Sequence, residues 1–262
     1  MISIVIPTYE MQGRGIAFLR RALDSLNKQV VTNASAIEIV LSDHSTSNDI
    51  EAFVKNYPSP FSIHYFRNPS GHGNISQNLN FGIAQAHFDY VKPLFQDDLL
   101  VETHYLADLH SLILKHQPEA VFSAVTHTEN GLDFFDDMIP RPNEFLLFGQ
   151  NTLSSPSVLT IKKTLLNTIS FDENLKLLLD CDFYYAFFKM QLNYVMLESA
   201  RVANGVWQGQ AHSQMNGHDV VREVKYLLKK YPHDNLSMRL KDYVLFLKSS
   251  DRNLAKALAE LI

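Results

Sequence analysis

Ile2-Ser3-Ile4-Val5-Ile6-Pro7-Thr8-Tyr9-Glu10 opens the chain, and its reading decides the fold class. Ile2 to Ile6 is a short, mostly apolar run rich in β-branched side chains and closed by Pro7. Such a run suits a strand buried on both faces, as in parallel sheets. Ile16, Leu19, Ala22, Leu23 and Leu26 follow on one helical face. Ile37 to Leu41 repeats the strand signal. Asn48, with Glu51 after it, has the form of a capping box before a helix carrying Ile50, Phe53, Val54 and Tyr57. Phe61 to Phe66 is a third strand. Asn74 is placed to cap a helix carrying Ile75, Leu79, Ile83 and Ala86. Tyr90 to Phe95 is a fourth strand, in which Pro93 argues for an edge or irregular position. This βαβαβαβ order predicts a parallel sheet with helices on both faces.

The rest of the chain is less regular. Leu106, Leu109 and Ile113 mark a helix, and Ala120 to Val125 a strand. Residues 127–156 read as a loop, with Asp133, Asp136 and Asp137 and the breakers Pro140, Pro142 and Pro156. A loop of that length is usually functional or mobile. Ser157 to Ile161 reads as a strand and Leu177 to Met190 as a buried helix. Residues 199–217 show no period, and His218 to Ile262 is helical. The expected organisation is an α/β unit at 1–215 and a helical extension at 216–262. The apolar stripes of the extension are expected to pack on the α/β unit.

Composition narrows the classes. The chain has 262 residues, 46% of them hydrophobic, which excludes intrinsic disorder. Its formal charge of −5 argues against a life spent on nucleic-acid phosphate. Cys181 is the one cysteine, so an intrachain disulfide and a CxxC zinc site are excluded. The N-terminal run lacks the basic stretch of a signal peptide, and no 18-residue apolar window occurs. The expectation is a cytoplasmic protein. Peripheral contact with the inner membrane face and a homodimer both stay open.

In an open parallel sheet, ligands bind beyond the carboxyl ends of the strands. Pro7-Thr8-Tyr9-Glu10, Ser42-Asp43-His44-Ser45-Thr46-Ser47 and Gln96-Asp97-Asp98 stand there. Asp43, Asp97 and Asp98 therefore converge on one rim. The Asp97–Asp98 pair can hold a hard divalent cation, or one member can cap the helix that follows. Gly71-His72-Gly73-Asn74-Ile75-Ser76 invites a dinucleotide-binding reading, but Ser76 stands where a third Gly or Ala is needed. A helix-capping loop able to approach a phosphate or sugar is the other reading. Asp180-Cys181-Asp182 lies in an apolar stretch, where carboxylates are costly unless paired, solvated at a pocket, or working. Cys181 itself reads as a small core hydrophobe. His212 ends the polar-aromatic segment Trp207-Gln208-Gly209-Gln210-Ala211-His212, which can stack on a sugar and reach phosphate.

These motifs resemble family-2 glycosyltransferases of the GT-A fold. Ile2 to Tyr9 is similar to their first strand. Glu38 to Thr46 is similar to their second, which commonly ends Asp-Asp-Gly-Ser-Thr. Gly73 to Gly82, with Ser76 and Asn80, resembles their third helix, and Leu94 to Asp98 the strand bearing their metal-binding Asp-x-Asp. Ser157 to Phe188 resembles their acceptor half. The likeness covers roughly residues 1–200 and implies an inverting transfer of sugar from a nucleotide-diphosphate donor, a UDP-sugar favoured, to an acceptor hydroxyl. It places the donor-binding half at residues 1–100 and the acceptor half at 101–215.

By that resemblance Pro7, Thr8, Tyr9, Glu10, Asp43, Ser45, Gly73, Gln96 and Asp97 form the nucleotide pocket. Asp97, Asp98 and His212 hold Mn²⁺ or Mg²⁺. Asp180 or Asp182 takes the acceptor proton. A glycan or lipid-linked glycan acceptor, in bacterial cell-surface polysaccharide synthesis, completes the expectation. The sequence also departs from the pattern. Ser42, Phe95 and Leu179 stand where acids are usual, and no Gln-x-x-Arg-Trp motif occurs. Those departures motivate the alternative of a non-catalytic sugar-nucleotide-binding or complex-forming subunit.

Overall fold

A computed structural model describes residues 1–70, 72–210 and 217–262. The predicted first half is present. Strands β1 (Ile2–Thr8), β2 (Ile37–Asp43), β3 (Ser62–Arg67) and β4 (Tyr90–Pro93) are parallel, in the order β3-β2-β1-β4. Helices α1 (Gly15–Asn27), α2 (Asp49–Lys55) and α3 (Ile75–Gln85) connect them. α1 buries Phe18, Leu19, Ala22, Leu23 and Leu26; Ile16, expected on the same face, is exposed at the first turn, and Phe18 takes a buried place the stripe did not include. At Gly82 of α3 a Cβ would press on Val5 and Ser42, so the missing side chain lets α3 lie close on β1 and β2. Asn74 caps α3 through a 3.0 Å bond from the Gln77 N–H.

Beyond β4 the sheet continues as β8 (Leu159–Lys162), β6 (Ala120–Thr128), β9 (Tyr194–Gly205) and β5 (Leu99–Leu100). β8 runs antiparallel to both β4 and β6, while β6 and β9 are parallel. Helix α4 (Tyr105–His116) precedes β6, and α5 (Leu179–Lys189) precedes β9. The mixed α/β sheet, flanked by helices, has the architecture the GT-A resemblance leads one to expect.

Several sequence readings need correction. The capping box at Asn48 does not form; the Asn48 side chain accepts instead from Arg67, at 3.0 Å. β4 is not an edge, since it lies between β1 and β8. Pro93 is tolerated because pairing with β8 stops at Val91 and Leu94 N–H resumes the bond to Val5. Residues 127–156 are not all loop: β7 (Phe135–Met138) pairs with β6. The unpatterned 199–217 stretch contains the end of β9, whose register against β6 slips between Ser123 and Ala124. The slip breaks the period-two signal.

Of the C-terminal helices, α6 (Gly217–Lys230) docks on the start of α5 and the 145–148 turn, α7 (Leu236–Leu247) packs on that turn, and α8 (Arg252–Ala259) packs on α6 and α7. Glu223 of α6 is buried and accepts the N–H groups of Lys176, Leu177 and Leu178 at 2.9–3.0 Å. A carboxylate at a helix N-terminus suits both its unpaired donors and its dipole. Tyr243 of α7 packs on Phe145 and Phe148 at ring separations of 5.2 and 5.7 Å.

Candidate active site

The carboxyl ends of β1, β2 and β4 form one rim, as predicted. Gln96 ties it together. Its Oε1 accepts from Tyr9 N–H at 2.9 Å, and its Nε2 donates to Gly15 at 2.7 Å. Pro7 and Thr8 are buried in β1. Asp43, expected in the nucleotide pocket, is fully buried with both oxygens engaged. Oδ1 takes Ser45 N–H at 2.9 Å and the Thr8 hydroxyl; Oδ2 takes the Tyr65 hydroxyl at 2.6 Å and lies 3.5 Å from Arg67. The groups that reach outward are Tyr9, 39% exposed, and Glu10. Glu10 accepts from Thr46 through both N–H and hydroxyl, which hold its carboxyl below its ordinary range against the opposing effect of burial. The Ser45 hydroxyl is buried without a hydrogen-bond partner. Gly73 sits at φ +80°, with open space around it.

Asp97 and Asp98 follow β4 and are both buried. Neither caps α4, whose N-cap is His104, so that alternative is not realised. Asp97 Oδ2 accepts from the Trp207 indole at 2.8 Å and from Gln210 at 3.2 Å, and its carbonyl accepts from Arg21 at 2.8 Å. Asp98 turns inward: Oδ1 takes Gly205 N–H at 2.9 Å and Oδ2 the Ser155 hydroxyl at 3.1 Å. Burial raises both carboxyls, and for Asp98 the neighbouring Asp97 charge raises it further. Gly205 permits the approach, since a Cβ there would strike the Asp97 carbonyl. Lys92 of β4 lies fully buried behind the pair, donating to the Ser157 carbonyl at 2.6 Å over the Tyr105 ring. Burial depresses its ammonium to about 7, with Asp98 acting the other way.

Asp180 and Asp182 open α5 and divide. Asp182 is 1% exposed; it accepts from Lys230 at 2.7 Å and Tyr231 at 2.8 Å. Lys230 also bridges to Asp172 at 2.6 Å. Asp182 therefore fastens α6 to α5. Asp180 is partly exposed and has no ion pair among the described residues. It accepts from Asn151 at 2.7 Å and from Cys181 N–H at 2.8 Å, and burial lifts it to about 6.

A chain of hydrogen bonds joins Asp180 to Asp98. Asn151 bonds Asp180 and the Ser154 carbonyl; Asn204 donates to the Ser154 hydroxyl at 2.5 Å; the Ser155 hydroxyl lies 3.1 Å from both Asn204 Oδ1 and Asp98 Oδ2 and shares its one proton between them. The carboxylates at the end of β4 and the start of α5 thus share one wall. The sequence reading missed Asn151, Ser155 and Asn204. Nothing periodic marks them, and only Asn151-Thr152-Leu153-Ser154 carries a local turn signal. His212 lies outside the described residues.

Among the described residues, no three His, Cys, Asp or Glu side chains are placed to hold a metal ion. A hard cation needs no such set. Mg²⁺ commonly binds through one or two carboxylates and completes its shell with water and substrate phosphate. The hard oxygens of Asp97 fit that pattern.

Comparison with known proteins gives the family and the fold. The family model for glycosyl transferase family 2 matches residues 3–190. No curated protein sequence matches significantly. Among solved structures, Staphylococcus aureus TarS 1–349 in complex with UDP superposes with a TM-score of 0.63 at 19% identity, over 86% of this chain and 64% of that one. The same fragment with UDP-GlcNAc gives 0.65 at 17%, over 88% and 66%. The mannosyltransferase PcManGT of Pyrobaculum calidifontis, in complex with GDP-Man and Mn²⁺, gives 0.65 at 14%, over 99% and 73%. The chain spans 39% of the longer TarS structure.

Proposed function

This chain belongs to glycosyl transferase family 2, and from that premise we propose that it transfers a sugar from a nucleotide-diphosphate donor, a UDP-sugar favoured, to an acceptor hydroxyl with inversion. The observation that carries the reading is the shared wall. A carboxylate with no ion pair among the described residues, Asp180, is linked through Asn151, Ser154, Asn204 and Ser155 to the acid pair Asp97–Asp98.

The residue types suit the chemistry. An acceptor hydroxyl is a poor nucleophile. Asp180 accepts its proton as the new bond forms, help worth roughly 10²–10⁴-fold. Its lifted pKa of about 6 leaves it ionised yet basic near neutral pH. Asp97, with Asp98 behind it, would hold Mn²⁺ or Mg²⁺, which supplies the charge that offsets a departing nucleoside diphosphate. Tyr9 and Glu10 flank the base and ribose, and Gly73 leaves room for the donor beside α3. Asp182 is committed to Lys230, so Asp180 is the member of the pair proposed as base. The solved relatives with UDP, UDP-GlcNAc and GDP-Man support a nucleotide-sugar donor. A glycan or lipid-linked acceptor, and a role in bacterial surface polysaccharide synthesis, follow the family resemblance. No helix among the described residues is long and apolar enough to cross a membrane. A cytoplasmic site of action, with or without peripheral membrane contact, belongs to the same proposal.

The test is nucleotide binding with UDP, GDP, CDP and TDP, each with and without Mn²⁺. Trp207, the single tryptophan, contacts Asp97 and reports by fluorescence. Thermal stability gives a second readout, since a ligand at about 100 times its Kd adds roughly 2.7 kcal/mol. A metal-dependent response to UDP is expected. No response to any nucleotide overturns the reading. Binding without turnover favours the non-catalytic subunit.

A further inference from the structure

Asn151 is held in one orientation. Its Oδ1 accepts the N–H groups of Leu153 at 2.9 Å and Ser154 at 3.1 Å, an Asx turn. Oδ1 is thereby used up by donors, and Nδ2 must face the other way. Its two hydrogens go to the Ser154 carbonyl at 3.0 Å and to Asp180 Oδ2 at 2.7 Å. The turn is strained at Ser154, which sits at φ +76° without being glycine. Such a conformation costs about 1–3 kcal/mol and persists where surrounding bonds over-determine it. Here Asn204 holds the Ser154 hydroxyl, and Tyr184 donates to the Ser155 carbonyl at 2.9 Å.

The other groups facing Asp180 do not compensate its charge. Cys181 and Tyr184 of α5 are buried and neutral, both pushed up by burial and by the Asp180 charge. Lys230 of α6 is engaged by Asp172 and Asp182. Among the described residues, Asn151 is thus the side chain that donates to the Asp180 carboxylate from outside α5.

We propose that Asn151 is a positioning residue for the catalytic carboxylate, fixing the direction of Asp180 and favouring its ionised form through the 2.7 Å bond. The inference rests on the reading of Asp180 as base. It also gives the strained 151–155 turn a purpose, because the same turn carries Ser155 to Asp98. Base and acid pair are then set by one backbone segment.

The test reads Asp180 directly. Carboxyl ¹³C shifts of aspartate-labelled protein are followed against pH, and the Asp180 signal is assigned by its loss in Asp180→Asn. Asn151→Asp is isosteric, keeps the Oδ1 acceptor for the turn, and places a second carboxylate against Asp180. Two carboxylates so close resist joint ionisation. The titration midpoint of the pair should rise by at least one unit, and turnover below it should fall about tenfold per unit. Asn151→Ala should move the midpoint the same way by about one unit, with donor KM little changed. An unmoved midpoint in Asn151→Asp overturns the inference, whatever Asn151→Ala does to folding. Turnover is followed as nucleoside diphosphate released from a panel of UDP- and GDP-sugars. If Asp180→Asn keeps full turnover, the base reading falls and this inference with it. If Asp180→Asn is inactive while Asn151→Asp leaves the midpoint in place, this inference alone falls.

Discussion

The end of β4 and the start of α5 each present two aspartates, and in both places one is spent on architecture. Asp98 is consumed by Gly205 and Ser155, Asp182 by Lys230 and Tyr231. Asp97 and Asp180 are the members proposed to meet substrate. The two regions differ in how the committed acid is neutralised. Asp182 meets a cation at 2.7 Å, whereas Asp98 meets neutral donors, with Lys92 buried farther behind. A paired carboxylate holds helices together. One held by neutral donors has no cation to offset its charge, and burial raises it towards the protonated form.

The largest effect expected from this division is catalytic. Asp180→Asn and Asp97→Asn should each lower transfer by roughly 10²–10⁴-fold while the folded state persists, as checked by turnover beside circular dichroism. Asp182→Asn should leave turnover per folded molecule within a few-fold. If Asp182→Asn is as inactive as Asp180→Asn, the division of labour is wrong.

Stability should show the mirror image. Asp182→Ala strands Lys230, and breaking a fully buried pair costs about 3–5 kcal/mol. Lys230 is partly solvated and keeps Asp172, so about 2–3 kcal/mol is expected, a fall of several degrees in Tm. Next comes Gly205→Ala. Its Cβ meets the Asp97 carbonyl, so the backbone must shift at about 1–3 kcal/mol. The metal-dependent UDP response should weaken as well, since Asp97 moves with its backbone.

The smallest effect is on the pH dependence of folding. Burial lifts Asp180 to about 6, so the folded state binds more protons than the unfolded state between about pH 4 and 6. Stability from this group is therefore greatest below pH 4, falls as pH rises to about 6, and is level above. The drop should be about 1–2 kcal/mol, reduced by the partial exposure of the side chain. Asp180→Asn should flatten that slope in urea titrations. Asp172 works in the opposite sense. Burial opposes it, but Lys230, Asn174 and Tyr226 hold it down to about 2, so its contribution is lost below pH 4.

How much of this was legible depended on whether the signal was local. α1 was readable because Leu19, Ala22, Leu23 and Leu26 repeat at helical spacing against a buried sheet. The α3 cap was readable because Asn74 needs only its own helix. The Asn48 cap failed because Arg67, from another strand, competed for the same side chain. β9 was hidden by its slip against β6, a property of the pair and not of either strand.

The sequence by itself determined the parallel β1–β4 core, the rim at its carboxyl ends and the candidate acids beside it. Apolar periodicity and strand order are properties of the chain, so they survive without coordinates. Only the tertiary structure decided which acid of each pair stays available. That choice depends on Gly205, Ser155, Lys230 and Asn151, which lie 29 to 107 residues from the aspartates they bind. Burial and hydrogen bonding across such separations set a carboxylate's charge and direction, and no spacing rule along the chain encodes them.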